Sequence, residues 1–192
     1  MSRKQGLLVV ISGPSGVGKD TLIERLRDLD PRLRYSISYT TRKPRPGEKD
    51  GVSYFFVSRE KFEALTAQGF FLEHATYNGN YYGTPTAAVE EARGAGHDIL
   101  LKIEVQGAAL VRKRAPDALF IFIAPPSKEE LVSRQQLREG GAPDEDIAER
   151  LKIAETEMKH AVEYNHVVVN DDLERAVAEV LEIVRRASER QT

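Results

Sequence analysis

Leu7-Leu8-Val9-Val10-Ile11-Ser12 is an unbroken aliphatic run, the pattern of a strand buried on both faces. It breaks into the glycine-rich Gly13-Pro14-Ser15-Gly16-Val17-Gly18. Beyond it Leu22, Ile23, Leu26 and Leu29 recur at three- and four-residue spacing with Pro31 just past them, which predicts a helix. Residues 99–105, 118–123 and 167–169 form three more aliphatic runs and read as buried strands. Between them 86–95, stopped by Gly96, 108–114, stopped by Pro116, and 127–138 read as helices. Ser127-Lys128-Glu129-Glu130 opens the last of these as a capping box, in which serine and glutamate satisfy each other's free amides. A long polar helix is predicted over about 143–163. A final amphipathic one buries Leu173, Val177, Val180, Leu181 and Val184. Strands alternating with helices predict an α/β fold, a parallel sheet with helices on both faces.

Two stretches break the alternation. From 36 to 83 the apolar residues are mostly aromatic, mixed with turns at Pro46-Gly47, Asp50-Gly51 and Asn78-Gly79. Asn-Gly between β-prone runs is a hairpin signal, so this segment reads as a small, mostly β insertion. Glu139-Gly140-Gly141-Ala142-Pro143 reads as a hinge between two charged helices. The picture is one core carrying two mobile lobes.

Composition narrows the class. With 192 residues, 41% hydrophobic and 30% charged, the chain suits one soluble globular unit with appended lobes. A net charge of −2, from 28 basic and 30 acidic residues, argues against a dedicated nucleic-acid binder. The absence of cysteine excludes disulfides, cysteine-ligated zinc and a thiol nucleophile. The apolar run after Met1-Ser2-Arg3-Lys4 is too short for a signal peptide, and no stretch approaches the roughly 18 apolar residues of a membrane span. A cytoplasmic location without a membrane partner is the expectation.

Gly13-Pro14-Ser15-Gly16-Val17-Gly18-Lys19 matches the phosphate-binding pattern G-x-x-x-x-G-K and lies between a predicted strand and a predicted helix. Its glycines let successive backbone amides turn toward one anion, and the helix start adds positive charge. Lys19 would reach the β- and γ-phosphates. The hydroxyl residue that usually follows is replaced by Asp20, with Thr21 next. Either Asp20 serves a Mg²⁺ ion, directly or through water, or phosphates hold the ion and Asp20 complements the helix dipole.

The loop alone does not name the phosphoryl acceptor. None of the four asparagines precedes a lysine, so the Asn-Lys-x-Asp base reader of switch GTPases is missing. The insertion instead offers Ser38-Tyr39-Thr40-Thr41-Arg42-Lys43-Pro44-Arg45-Pro46-Gly47-Glu48. Its two arginines, stiffened by prolines, suit a phosphate dianion.

With these motifs the chain resembles the guanylate kinases. The resemblance extends through Glu73, Asn80-Tyr81-Tyr82-Gly83-Thr84, Val105-Gln106-Gly107, Ala124-Pro125-Pro126-Ser127 and Val169-Asn170-Asp171-Asp172. It implies transfer of the γ-phosphate of ATP to GMP with Mg²⁺. It also implies a core over 1–36, 85–126 and 161–192, a GMP-binding lobe over 37–84 and a lid over 127–160. Arg42, Arg45, Tyr54 and Tyr82 match the residues holding the GMP phosphate, and Ser38, Glu73 and Thr84 those reading guanine, with Glu104 nearby. Arg134, Arg138 and Arg150 match lid arginines, and Asn170 a residue at the adenine end of ATP.

Lys19, Arg42, Arg138 and Arg150 then form the expected charge clamp. Two substitutions keep the chemistry: Thr84 replaces a serine and Glu104 an aspartate. Lys102 departs further, since family members often place an acid there; it is expected to share a strand face with Glu104. Guanylate-kinase-like peptide-binding modules and kinases for other phosphorylated acceptors are the rival readings. The intact loop and the arginine set argue against the first, and Glu73 with Ser38 against the second.

Overall fold

The computed structural model describes residues 5–138 and 144–190, without the side chains of 135–138 and 144–150. The elements run β1 (Leu8–Ser12), α1 (Lys19–Leu29), β2 (Arg34–Tyr35), β3 (Tyr39–Thr40), β4 (Phe55–Phe56), α2 (Arg59–Ala67), β5 (Phe71–Tyr77) and β6 (Asn80–Pro85). They continue as α3 (Thr86–Gly94), β7 (Ile99–Lys102), α4 (Val105–Arg114), β8 (Leu119–Ala124), α5 (Lys128–Arg138), α6 (Asp144–Lys159), a 3₁₀ turn at His160–Glu163, β9 (His166–Val169) and α7 (Leu173–Arg190).

A five-stranded parallel sheet, ordered β2-β7-β1-β8-β9, forms the core. Side-chain alternation along β1 sends Val9 and Ile11 into one apolar cluster with α1 and α7, and Leu8 and Val10 into another with α4. This is the two-faced burial that an all-aliphatic strand implies. The second sheet is mixed and four-stranded, ordered β4-β3-β6-β5. It has its own small core of Phe62, Leu65 and Phe71, with Phe62 and Phe71 stacked at 4.5 Å. The β5–β6 hairpin turns at Asn78-Gly79, both with positive φ, and pairs Tyr77 with Asn80. Among the described residues no helix is long and apolar enough to cross a membrane.

Several expectations are corrected. The strand expected over 99–105 ends at Lys102, and α4 starts at Val105, with Glu104 as its N-cap. Lys102 and Glu104 therefore do not share a strand. The apolar run continued because the first turn of α4 is itself buried, Val105 being 7% exposed. Leu29, at the end of α1, is exposed rather than buried. β9 is an edge strand in which Val168 is buried while Val167 and Val169 are exposed.

The insertion is not wholly β. It contains α2, begun by Ser58, whose hydroxyl accepts from the Lys61 amide. The expected capping box is half made: Ser127 Oγ accepts from the Glu130 amide, but the Glu130 carboxylate turns to Arg134. The expected Gly140-Gly141 hinge lies outside the described residues.

Candidate active site

β1 delivers the chain to the carboxyl edge of the parallel sheet, where folds of this kind place ligands. The loop that follows turns on Gly13, Gly16 and Gly18 at φ 140, 89 and 96°, a region side chains rarely enter. A Cβ on Gly13 would also lie 2.2 Å from Ile123 O, and one on Gly18 2.6 Å from Asn170 Nδ2. Gly18 caps α1, so loop amides and the helix start face one volume. The buried Lys19 ammonium donates to the carbonyls of Gly13 and Pro14 and lies 3.9 Å from Glu104 Oε2.

Asn170, buried just past β9, donates through Nδ2 to Val17 O at 2.8 Å. Arg134 of α5 donates to Asn170 O at 3.1 Å. These two residues brace the phosphate loop from the β9 side. Asp20 and Thr21 lie in the first turn of α1, and Asp20 forms an ion pair with Lys102 at the end of β7. Burial opposes the charge on Lys102, but Tyr35, Tyr54 and Asp20 outweigh it and hold its pKa above the ordinary lysine value.

In the lobe, Arg42 meets Glu48 through both prongs of its guanidinium, at 2.9 and 2.8 Å, while the Arg45 amide donates to Glu48 Oε2 at 2.7 Å. Burial pushes the Glu48 carboxyl up, but Arg42 and the Arg45 amide overcome it and hold it below the usual range. The Arg42 guanidinium lies 5.4 Å over the Tyr54 ring, which meets Tyr82 edge to face at 6.0 Å. Burial pushes the Tyr54 hydroxyl to about 12, so it remains a donor at neutral pH.

Glu73 and Thr84 face each other in register across β5 and β6. Thr84 Oγ1 donates to Glu73 Oε1 at 2.6 Å. Glu73 is 4% exposed. Burial lifts its pKa to about 7, with the nearby Glu104 charge adding and the Thr84 hydrogen bonds opposing. Ser38, Glu73 and Glu104 line a narrow pocket. That pocket shares Tyr54, Tyr77, Tyr82, Lys102 and Glu104 with a cleft of about 600 Å³ that reaches Ser15, Gly16, Lys19, Arg42 and Arg45. The result is one continuous site with a carboxylate end, a cationic middle and a glycine-loop end.

The family model for guanylate kinase matches residues 5–187. The chain belongs to the guanylate kinase family. It is 50% identical over 184 residues to a guanylate kinase of Halalkalibacterium halodurans, covering 96% of this chain and 90% of that one. It is 48% identical over 184 residues to one of Desulfitobacterium hafniense, covering 96% and 92%. The crystal structure of guanylate kinase from Anaplasma phagocytophilum superposes with a TM-score of 0.83 at 35% identity, covering 98% of this chain and 89% of that one.

In this guanylate kinase family member the fold gathers Lys19, Asp20, Ser38, Arg42, Arg45, Tyr54, Glu73, Tyr82 and Glu104 around the joined cleft and pocket. Thr84 stands behind Glu73, and Arg134 and Asn170 behind the loop. The backbones of Arg138 and Arg150 belong to α5 and α6; their side chains lie outside the described residues. Three residues were given no site role by the sequence reading. Glu48 holds Arg42. Lys102 lies in the cleft itself. Glu157 on α6 is 8% exposed, and burial, with Glu104 adding and Lys19 opposing, lifts it to about 7. An acid on a charged helix carries no sequence mark of such burial.

Proposed function

We propose that this chain transfers the γ-phosphate of ATP to GMP, releasing ADP and GDP. The observation carrying the reading is the buried Glu73–Thr84 pair at one end of a cleft whose other end is the phosphate loop. Guanine presents N1–H and its 2-amino group side by side, and an ionised Glu73 accepts from both. Ser38 donates to O6. Adenine has an unprotonated N1 and no 2-amino group, so it loses both bonds to Glu73. The GMP phosphate then lies toward Arg42, Arg45, Tyr54 and Tyr82, with Glu104 flanking the nucleoside.

At the other end residues 13–18, through the backbone amides other than that of Pro14, hold the ATP phosphates with Lys19 and Thr21; Arg134 and Asn170 flank its adenine. A GMP phosphate oxygen attacks the γ-phosphorus in line while the bond to the β,γ-bridging oxygen breaks, leaving its electron pair on ADP. The acceptor is already anionic, so no general base is required. Lys19, Arg42 and the lid residues Arg138 and Arg150 offset the charge on the moving group. Closure of the lid over residues 127–160 excludes water as a competing acceptor.

A Mg²⁺ ion fits the oxygen donors at this rim. Asp20 presents a carboxylate that is 57% exposed, and Glu104 buries an Oε2 without a hydrogen-bond partner among the described residues. Asp20 would hold the ion, directly or through water, and the ion would supply positive charge to the triphosphate. A coupled assay of ADP release with ATP and GMP, AMP, CMP or UMP tests the reading. GMP is expected to exceed AMP by about 10⁴-fold in kcat/KM, and equal rates with GMP and AMP would overturn it.

A further inference from the structure

Two unusual residues meet in the fold. Asp20 stands where phosphate loops ordinarily carry a hydroxyl, and Lys102 is a lysine only 10% exposed. They are 82 positions apart in the chain, yet Lys102, opposite Ile11 at the carboxyl edge of the sheet, pairs with Asp20 from the first turn of α1. The Lys102 ammonium lies 4.6 Å from the centre of the Tyr54 ring, the ring that Arg42 also overlies. Lys102 lines both the narrow pocket with Glu73 and the wide cleft with Lys19. With a purine in the pocket, the 5′-phosphate of a nucleotide lies one ribose further out, at this junction.

We infer that Lys102 is a phosphate ligand of the acceptor site, joining Arg42 and Arg45, and that Asp20 is the partner its ammonium leaves for the phosphate. The inference rests on the reading of GMP as the acceptor. Lys102 is 10% exposed, whereas its partner carboxylate is 57% exposed. Water screens the Asp20 side of the pair, so a phosphate dianion entering from the cleft competes for the ammonium on favourable terms. A lysine adds a compact point charge with three donors, a different contribution from the planar forks of the two arginines.

An ion pair serving only to tie α1 to β7 would look the same, so the test must read phosphate recognition itself. Calorimetric titration of the full chain with GMP and with guanosine, which differ only by the phosphate, does this. The unmodified protein is expected to bind GMP more tightly than guanosine; failure at that step would count against the acceptor reading rather than against Lys102. Lys102→Met is expected to weaken GMP binding about tenfold and to change guanosine binding less than about twofold.

Lys102→Arg, which keeps a cation, is expected to restore most of the GMP affinity. The double variant Asp20→Asn/Lys102→Met leaves neither charge unpaired, and decides the question if Lys102→Met does not fold; the same tenfold loss is expected. Asp20→Asn alone keeps the ammonium and an acceptor oxygen, and is expected to stay within about threefold of the unmodified protein. An unchanged GMP-to-guanosine ratio in the Met variants overturns the inference. So does a tenfold GMP loss in Asp20→Asn, because the tie would then matter and the ammonium would not.

Discussion

A Cβ placed on Gly107 would sit 2.5 Å from Glu73 Oε2. The first turn of α4 is bare where the buried carboxylate comes down on it, near the positive end of that helix. Gly107→Ala is favourable for an isolated helix by about 1 kcal/mol, yet here it must displace an oxygen of the carboxylate proposed to read guanine. The expected result is a GMP KM raised about tenfold or more with the ATP KM nearly constant. Steady-state kinetics with each substrate varied in turn checks it; equal changes in both would show that Gly107 does not act through Glu73.

The protonation of Glu73 sets a pH dependence. Its pKa of about 7 leaves it largely protonated at pH 6, when it can no longer accept from both guanine donors. Affinity for guanosine, which avoids the phosphate's own titration near pH 6, should rise about tenfold per pH unit below 7 and level off above. Glu73→Gln should bind guanosine weakly, by about 10²-fold or more, and without this slope. Titrations from pH 5.5 to 8.5 measure both.

Arg138 and Arg150 are expected to act in the transition state. Alanine at either should lower kcat by about 10²-fold and leave both KM values within a few fold. A raised KM with unchanged kcat would assign them to ground-state binding instead.

Glu157 links stability to pH. Its folded pKa of about 7 lies above the 4.5 of an exposed glutamate, so the native state holds an extra proton between those values. Stability from this group is complete below pH 4.5 and is lost as pH rises through 7. Glu157→Gln, always neutral, should therefore stabilise the protein by about 1–3 kcal/mol at pH 8 and change little at pH 5. Calorimetric melting at the two pH values decides it. Glu73 contributes in the same direction, so the variant should flatten only part of the slope.

Four of the five core strands, the phosphate loop and the Asn78-Gly79 hairpin were legible because each depends on residues close in sequence, whereas the two-residue β2 was too short to show. A two-sided burial pattern reads out in β1 without knowledge of its neighbours, and Gly13, Gly16 and Gly18 announce backbone angles that other residues avoid. The same locality explains the misses. The boundary at Lys102 was hidden because strand and helix are both buried there. α2 was masked because its inward residues, Phe62 and Leu65, sit among β-prone aromatics. The ion pair of Asp20 with Lys102 and the burial of Glu157 arise only when distant segments are brought together, so no periodicity carries them.

Three cations of the cleft are spoken for by oxygens of the chain itself: Lys19 by the Gly13 and Pro14 carbonyls, Arg42 by Glu48, Lys102 by Asp20. On the proposed binding a nucleotide phosphate enters by exchange, and the affinity it gains is the difference between two sets of contacts. The displaced oxygens stay within reach and reclaim the same donors when the reaction is over. An arrangement of this kind sacrifices tight retention of the diphosphates in favour of their prompt departure, which is what repeated turnover requires.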